Sequence, residues 1–152
     1  MRRLAFIALL GVLSSFASSA KTESVDELKA RFEKTRTEDR PQLGIRIAEQ
    51  QLHNADQLYI DGKVEEARAA LADIVTYSEK SRDAAMQTGK HLKNVEIDVR
   101  KMSEKLRDIK HTLAFDDQPP VEQAIRQLED IRTSLLNQMF AKDKNNDKKE
   151  KK

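Results

Sequence analysis

The feature that most constrains this chain is a run of apolar and small residues spaced alternately three and four apart, unbroken from Val64 to Leu113. One half of the seam is Val64, Leu71, Ser78, Ala85, Leu92, Val99, Leu106 and Leu113. The other is Ala67, Ile74, Ser81, Thr88, Val95, Met102 and Ile109. This spacing gathers side chains on one face of an α-helix, whereas a strand needs strict alternation. Sustained over seven heptads, it is a coiled-coil signature. The direct reading is one helix of about 50 residues, ~75 Å long at 1.5 Å per residue. Its middle turns small and polar at Ser78, Ser81, Ala85, Thr88 and Gly89, which marks a candidate interaction or hinge region. One glycine costs a helix only about 1 kcal/mol, so a bend at Thr88-Gly89, folding the rod into a compact monomeric bundle, stays open.

Local signals place shorter helices on either side. Ser24-Val25-Asp26-Glu27 has the S-x-x-E form of a capping box, in which the serine and the glutamate satisfy each other's free backbone N–H groups. A short helix should follow to about Arg36, with Val25, Leu28 and Phe32 on one face. Asp39 caps the next, and Pro41 falls in its first turn, where a missing N–H costs nothing. Its apolar face is Ile45, Ala48, Leu52, Ala55 and Tyr59. Gly62 closes it, because glycine takes the left-handed conformation freely. Gly44, like Gly62, lies near an expected helix boundary. Pro119 and Pro120 stop the long helix and start a last one, with a seam of Val121, Ala124, Leu128, Ile131 and Leu135 reaching about Phe140. Gly62, Ala67, Pro119 and Pro120 are thus the structural turn positions.

The expected fold is all-α: a short N-terminal helix plus two antiparallel helical hairpins sharing one long coiled-coil-like helix. Such a rod has only two helices in cross-section over much of its length and leaves its seam half covered. Ile47, Leu58, Val75, Ile97, Ile125, Leu136 and Met139 widen the apolar stripe further. A homodimer is therefore expected.

The ends carry different chemistry. Arg2 and Arg3 precede an apolar run, Leu4 to Leu13, and Ser18-Ser19-Ala20 fits a small-x-small cleavage site. That is the form of a secretory signal, and the run is short of the ~20 residues that span a bilayer. The expected division is 1–20 signal peptide, 21–141 helical domain and 142–152 disordered lysine-rich tail. Cleavage after Ala20 would release the protein to the periplasm or exterior. Arg2 and Arg3 are two of the 28 basic residues, so the chain from Lys21 carries 26 of each sign. The tail holds six lysines against three acids, leaving the body net negative. A nucleic-acid partner, which would need a basic face, is not expected, nor is a membrane span. With no cysteine there is no disulfide, thiolate metal site or cysteine nucleophile.

Catalytic signatures are missing as well. His91 and His111 lie twenty residues apart, roughly 200° around a helix axis. Glu49 and His53 share a face, but no Glu-x-x-His pair of the kind that builds a bundle metal site occurs. No G-x-S-x-G, S-x-x-K or glycine-rich phosphate loop is present. Glu65-Glu66 and Asp116-Asp117 are adjacent and point apart. No catalytic residue, cofactor or metal is expected.

The stretch A-D-Q-L-Y-I-D-G-K-V-E-E-A-R-A-A-L-A-D-I, Ala55 to Ile74, resembles the turn and flanking helices of a tetratricopeptide repeat. Ala55, Leu58, Gly62, Val64, Ala67 and Leu71 stand where that family puts small or apolar residues. The resemblance implies a tight helical hairpin. No second copy follows 34 residues on, and one repeat builds no peptide groove. The segment D-G-K-V-E-E-A-R also resembles the last hairpin of the periplasmic four-helix b-type cytochromes. The late histidine and early methionine that bind haem there have no counterparts here. The expected function is that of an exported helical interaction or scaffold protein, meeting a protein partner without catalysis. The alternative is a small-ligand or cofactor-binding bundle.

Overall fold

The computed structural model describes residues 23–150, with side chains described over 23–141. The apolar leader and the cleavage point after Ala20 lie outside the described residues. Five α-helices follow one another: α1 (Val25–Lys34), α2 (Arg40–Ile60), α3 (Val64–Thr88), α4 (Leu92–Thr112) and α5 (Gln118–Glu150), with a single 3-10 turn at Phe115–Asp117 before α5. The fold is all-α.

The local chemistry sets the helix ends. At α1 the capping box is complete: Ser24 N–H donates to Glu27 Oε2 at 2.8 Å and Glu27 N–H to Ser24 Oγ at 3.2 Å. The α2–α3 turn is a Schellman motif, with Gly62 N–H donating to Tyr59 O (3.1 Å) and Lys63 N–H to Leu58 O (2.8 Å). Gly62 sits at φ +72°. Pro119 and Pro120 occupy the first turn of α5. Asp39 departs from expectation: it precedes α2 in αR geometry and its side chain caps nothing, while the Arg40 Nε–H reaches the Thr35 carbonyl at 3.0 Å.

The long helix is not continuous. It ends at Thr88, and α4 begins at Leu92 after a three-residue turn. Gly89 and His91 both lie in the left-handed region, at φ +67° and +61°. Thr88 Oγ1 donates to Ala84 O (2.8 Å) and accepts from Lys90 N–H (3.3 Å), closing the helix end. The physical reason is burial. Straight, the seam would leave apolar surface in water; folded, α4 returns alongside α2 and α5 alongside α3. Contacts between helices fix the directions. Gln42 meets His91, and further along Asp56 meets Lys105 (3.3 Å), so α4 runs with α2. Ser103 and Glu96 on α4 reach Glu129 and Arg132 on α5, so that pair is antiparallel. Two antiparallel hairpins, α2/α3 and α4/α5, therefore stack into a four-helix layer, with α1 laid over α2 and α3.

The core is continuous through all five helices. Leu28 and Phe32 of α1, Ala48 and Ala55 of α2, Leu71 and Ile74 of α3, Val99 and Leu106 of α4, and Leu128 and Leu135 of α5 are buried together. Ile47, Val75 and Ile125, three of the residues that widen the stripe, are buried within the one chain. The half-covered seam from which the homodimer was expected is thus absent from this fold. At the C-terminal end α5 continues as helix to Glu150, past Ala141, where the helical domain was expected to give way to a disordered tail. No glycine or proline stands between Val121 and Lys152 to stop it.

Candidate functional site

The small, polar middle of α3 is interior. Ser78, Ser81 and Ala85 are each fully buried. The small size of Ser81 is explained by Gly44, which stands inside α2 rather than at its boundary. A Cβ on Gly44 would lie 2.9 Å from the Tyr77 carbonyl oxygen, 3.2 Å from the Phe32 ring and closer still to Ser81 Oγ. Small residues on both helices let the backbones cross at short range. Ser81 Oγ donates to Tyr77 O (2.7 Å), whereas Ser78 Oγ has no partner among the described residues. As a candidate interaction surface, Ser78, Ser81 and Ala85 are corrected: all three are buried inside the chain, and Ser81 lies against α2 at Gly44. Thr88 and Gly89 are the break itself. Ala67 is wholly buried, one turn into α3.

The crossing is sealed by α1. Phe32 and Tyr77 meet edge to face, ring centres 5.5 Å apart. Lys80 Nζ lies 4.9 Å from the centre of the Tyr77 ring and Arg40 covers Phe32 at 5.6 Å, attracted by the electron-rich ring faces.

Three polar arrangements surround this core. Asp73 on α3 accepts from Lys29 of α1 at 2.5 Å and from the Gln51 amide of α2, and Gln51 in turn accepts from Asn54 Nδ2 (2.8 Å). Beside it runs an open groove of about 410 Å³ between α2 and α3, lined by apolar Leu58 and Ala70, the amides of Asn54 and Gln57, and the carboxylates of Glu66 and Asp73. Between α4 and α5, Glu129 accepts from Ser103 Oγ (2.6 Å) and Arg107 (2.8 Å), while Arg132 Nε donates to the buried Glu96 at 2.7 Å. The Ser103 hydrogen bond, then Arg107 and Arg132, hold the Glu129 carboxyl below the usual range against the opposing effect of burial. Between α2 and α4 a smaller groove of about 210 Å³ brings together Gln42, Arg46, Glu49, His91 and Asp98. Burial first, then the nearby Asp98 charge, push the Glu49 carboxyl up, and Lys101 opposes them. Among the described residues no cluster has metal-ligating geometry. His53 and His111 do not join the His91 groove.

The α2–α3 and α4–α5 turns lie at the same end of the bundle, where Arg68 Nη2 reaches Asp117 Oδ1 at 3.9 Å. There two large apolar side chains face outward: Ile60, 71 % exposed, and Phe115, 83 % exposed. Asp61, Glu65 and Asp116 are exposed around them. Sequence reasoning missed both. Each stands off the 3-4 seam, and only a fold that brings the two turns to one end of the bundle puts both there.

No protein-family model, curated protein or solved structure matches this chain.

Proposed function

We propose that this chain is an exported, non-catalytic helical interaction protein that meets a protein partner through the turn end of its bundle. The observation that carries this is the outward placement of both Phe115 and Ile60 at the turn end of the bundle; Phe140, the other large apolar side chain exposed among the described residues, lies far along α5 from these turns. Aromatic and aliphatic anchors of this kind supply most of the energy when they enter a partner's pocket. The acids around them favour a partner whose pocket is apolar with a basic rim. The leader sequence supports passage out of the cytoplasm, to the periplasm or exterior. No described helix is long and apolar enough to cross a membrane.

The test is a photo-reactive amino acid placed at Phe115, with the same group at the exposed Lys101 on α4 as control. Adducts of defined mass from position 115 alone, lost when Ile60→Asp is added, are expected. Equal labelling from both positions overturns the reading. A second reading has one observation in its favour: the α2/α3 groove, lined by apolar side chains, amides and two carboxylates, suits a small polar ligand. Protection of the groove from solvent exchange by a small-molecule pool, with Phe115 adducts absent, would favour it.

A further inference from the structure

The break at Gly89–His91 interrupts a seam that the sequence does not interrupt. Ala85, Thr88, Leu92 and Val95 keep the 3-4 spacing straight through the turn, so residues 64–113 are written for one helix and folded as two. The turn is three residues long. It needs two left-handed residues, and one is a histidine, which populates that conformation at a cost glycine does not incur. Everything that joins the two hairpins, including Asp56 with Lys105 and Arg68 with Asp117, pairs one hairpin with the other. Apart from Gln42 with His91, which sits in the turn itself, none of these contacts depends on which chain supplies the second hairpin.

We infer that the partner this surface fits is a second copy of the same chain, taken up by exchange of the α4/α5 hairpin. When residues 89–91 become helical, α3 and α4 join into one straight helix. The α4/α5 hairpin then swings off its own α2/α3 hairpin and packs on that of the other copy. Each copy receives the contacts it gave up, apart from the exposed one between Gln42 and His91 at the hinge itself, and the dimer adds the relief of strain at two hinges. A short hinge held under strain is the arrangement that favours such exchange. The bundle described above is the closed, single-chain form. The inference stands apart from the turn-end surface, because Ile60 and Phe115 are equally exposed whichever chain supplies the hairpin.

Equal amounts of isotope-labelled and unlabelled protein are unfolded together, refolded at high concentration and separated by size. Each fraction is then treated with a carbodiimide, which joins a lysine amine to a carboxylate in direct contact. The expected result is a two-chain fraction in which Lys105–Asp56 links join labelled to unlabelled chains about as often as like to like. The one-chain fraction should hold like-to-like links only. In a Gln42→Ala background, where the exposed contact to His91 is already gone, His91→Gly removes the hinge strain without touching the core and should lower the dimer association constant about 25-fold, some 5-fold from each hinge. Gly89→Ala should raise it by a similar factor. A two-chain fraction whose Lys105–Asp56 links are all within one chain is a side-by-side dimer and overturns the inference. So does a single-chain mass at every concentration for both the unaltered protein and Gly89→Ala. The unaltered protein decides the matter even if a variant folds poorly.

Discussion

Gly44 acts through the side chain it lacks. The space a methyl group would fill is already held by the Tyr77 carbonyl, the Phe32 ring and Ser81 Oγ. Of these the carbonyl is part of the α3 backbone and cannot rotate away. Gly44→Ala should therefore lower stability by about 1–3 kcal/mol, the range of core overpacking, although alanine is the better helix former. The midpoint of urea unfolding measures it; an unchanged or higher midpoint would mean the crossing is looser than it looks. Ser78 makes the opposite case. Its hydroxyl is buried without a partner among the described residues, and such a group carries a desolvation cost. Ser78→Ala should leave stability unchanged or raise it by up to about 1 kcal/mol. Ser81→Ala, one turn on, loses a made hydrogen bond and should not gain. If Ser78→Ala costs as much as Gly44→Ala, an ordered water or another group satisfies Ser78. Neither role was legible in the chain alone. Gly44 stands near the start of α2 and looks like a boundary glycine, and a helix crossing depends on the register of two helices at once.

Among the elements, those set by neighbouring residues were the readable ones. The Ser24–Glu27 box, the Gly62 turn and the Pro119-Pro120 restart each rest on chemistry within a few positions, and the structure has all three. At Thr88–His91 the sequence offered the bend at Thr88-Gly89 only as an alternative to a straight helix. The seam satisfies a straight helix and a folded one equally well, and the difference lies in what the far face of each half packs against. Nor does anything around His91 announce a left-handed residue. The α4–α5 pairing is likewise a matter of register. There Glu96 and Arg132 form a pair whose carboxylate is buried and whose guanidinium is a third exposed. Glu96→Gln should lower the thermal midpoint by less than Gly44→Ala does, since water can take up Arg132. A fall as large would mean the pair orders the whole hairpin. Glu129 contributes to the pH dependence of this interface, together with Glu122, whose carboxyl the hydrogen bond from Lys110 also holds down. The folded Glu129 carboxyl titrates below the unfolded one, so its contribution is present above the ordinary carboxylate range near pH 4 and is lost as pH falls through the depressed value. Unfolding scans from neutral pH downward should show an acid-side loss of stability that is shallower in Glu129→Gln. Identical slopes would remove Glu129 from the account.

On the scale of the whole molecule, the argument for a homodimer from a half-bare seam no longer applies, because Ile47, Val75 and Ile125 are covered within one chain. Protein prepared at micromolar concentration without an unfolding step should scatter light with the mass of one chain. A stable two-chain mass under those conditions would mean that the closed form is not the resting one. The arrangement of the four main helices also bears on how the molecule forms. Each helix finds its antiparallel mate directly across the next turn, α2 with α3 and α4 with α5. Pairings so near in the chain need little loop closure before they are rewarded, and chains built from them fold on the fast side of the range for small domains. The α2/α3 unit can take shape while the residues of α4 are still being delivered. A polypeptide emerging N-terminus first from a ribosome, or threading through a channel, would thus pair its first two long helices before the second pair arrives to cover their remaining face.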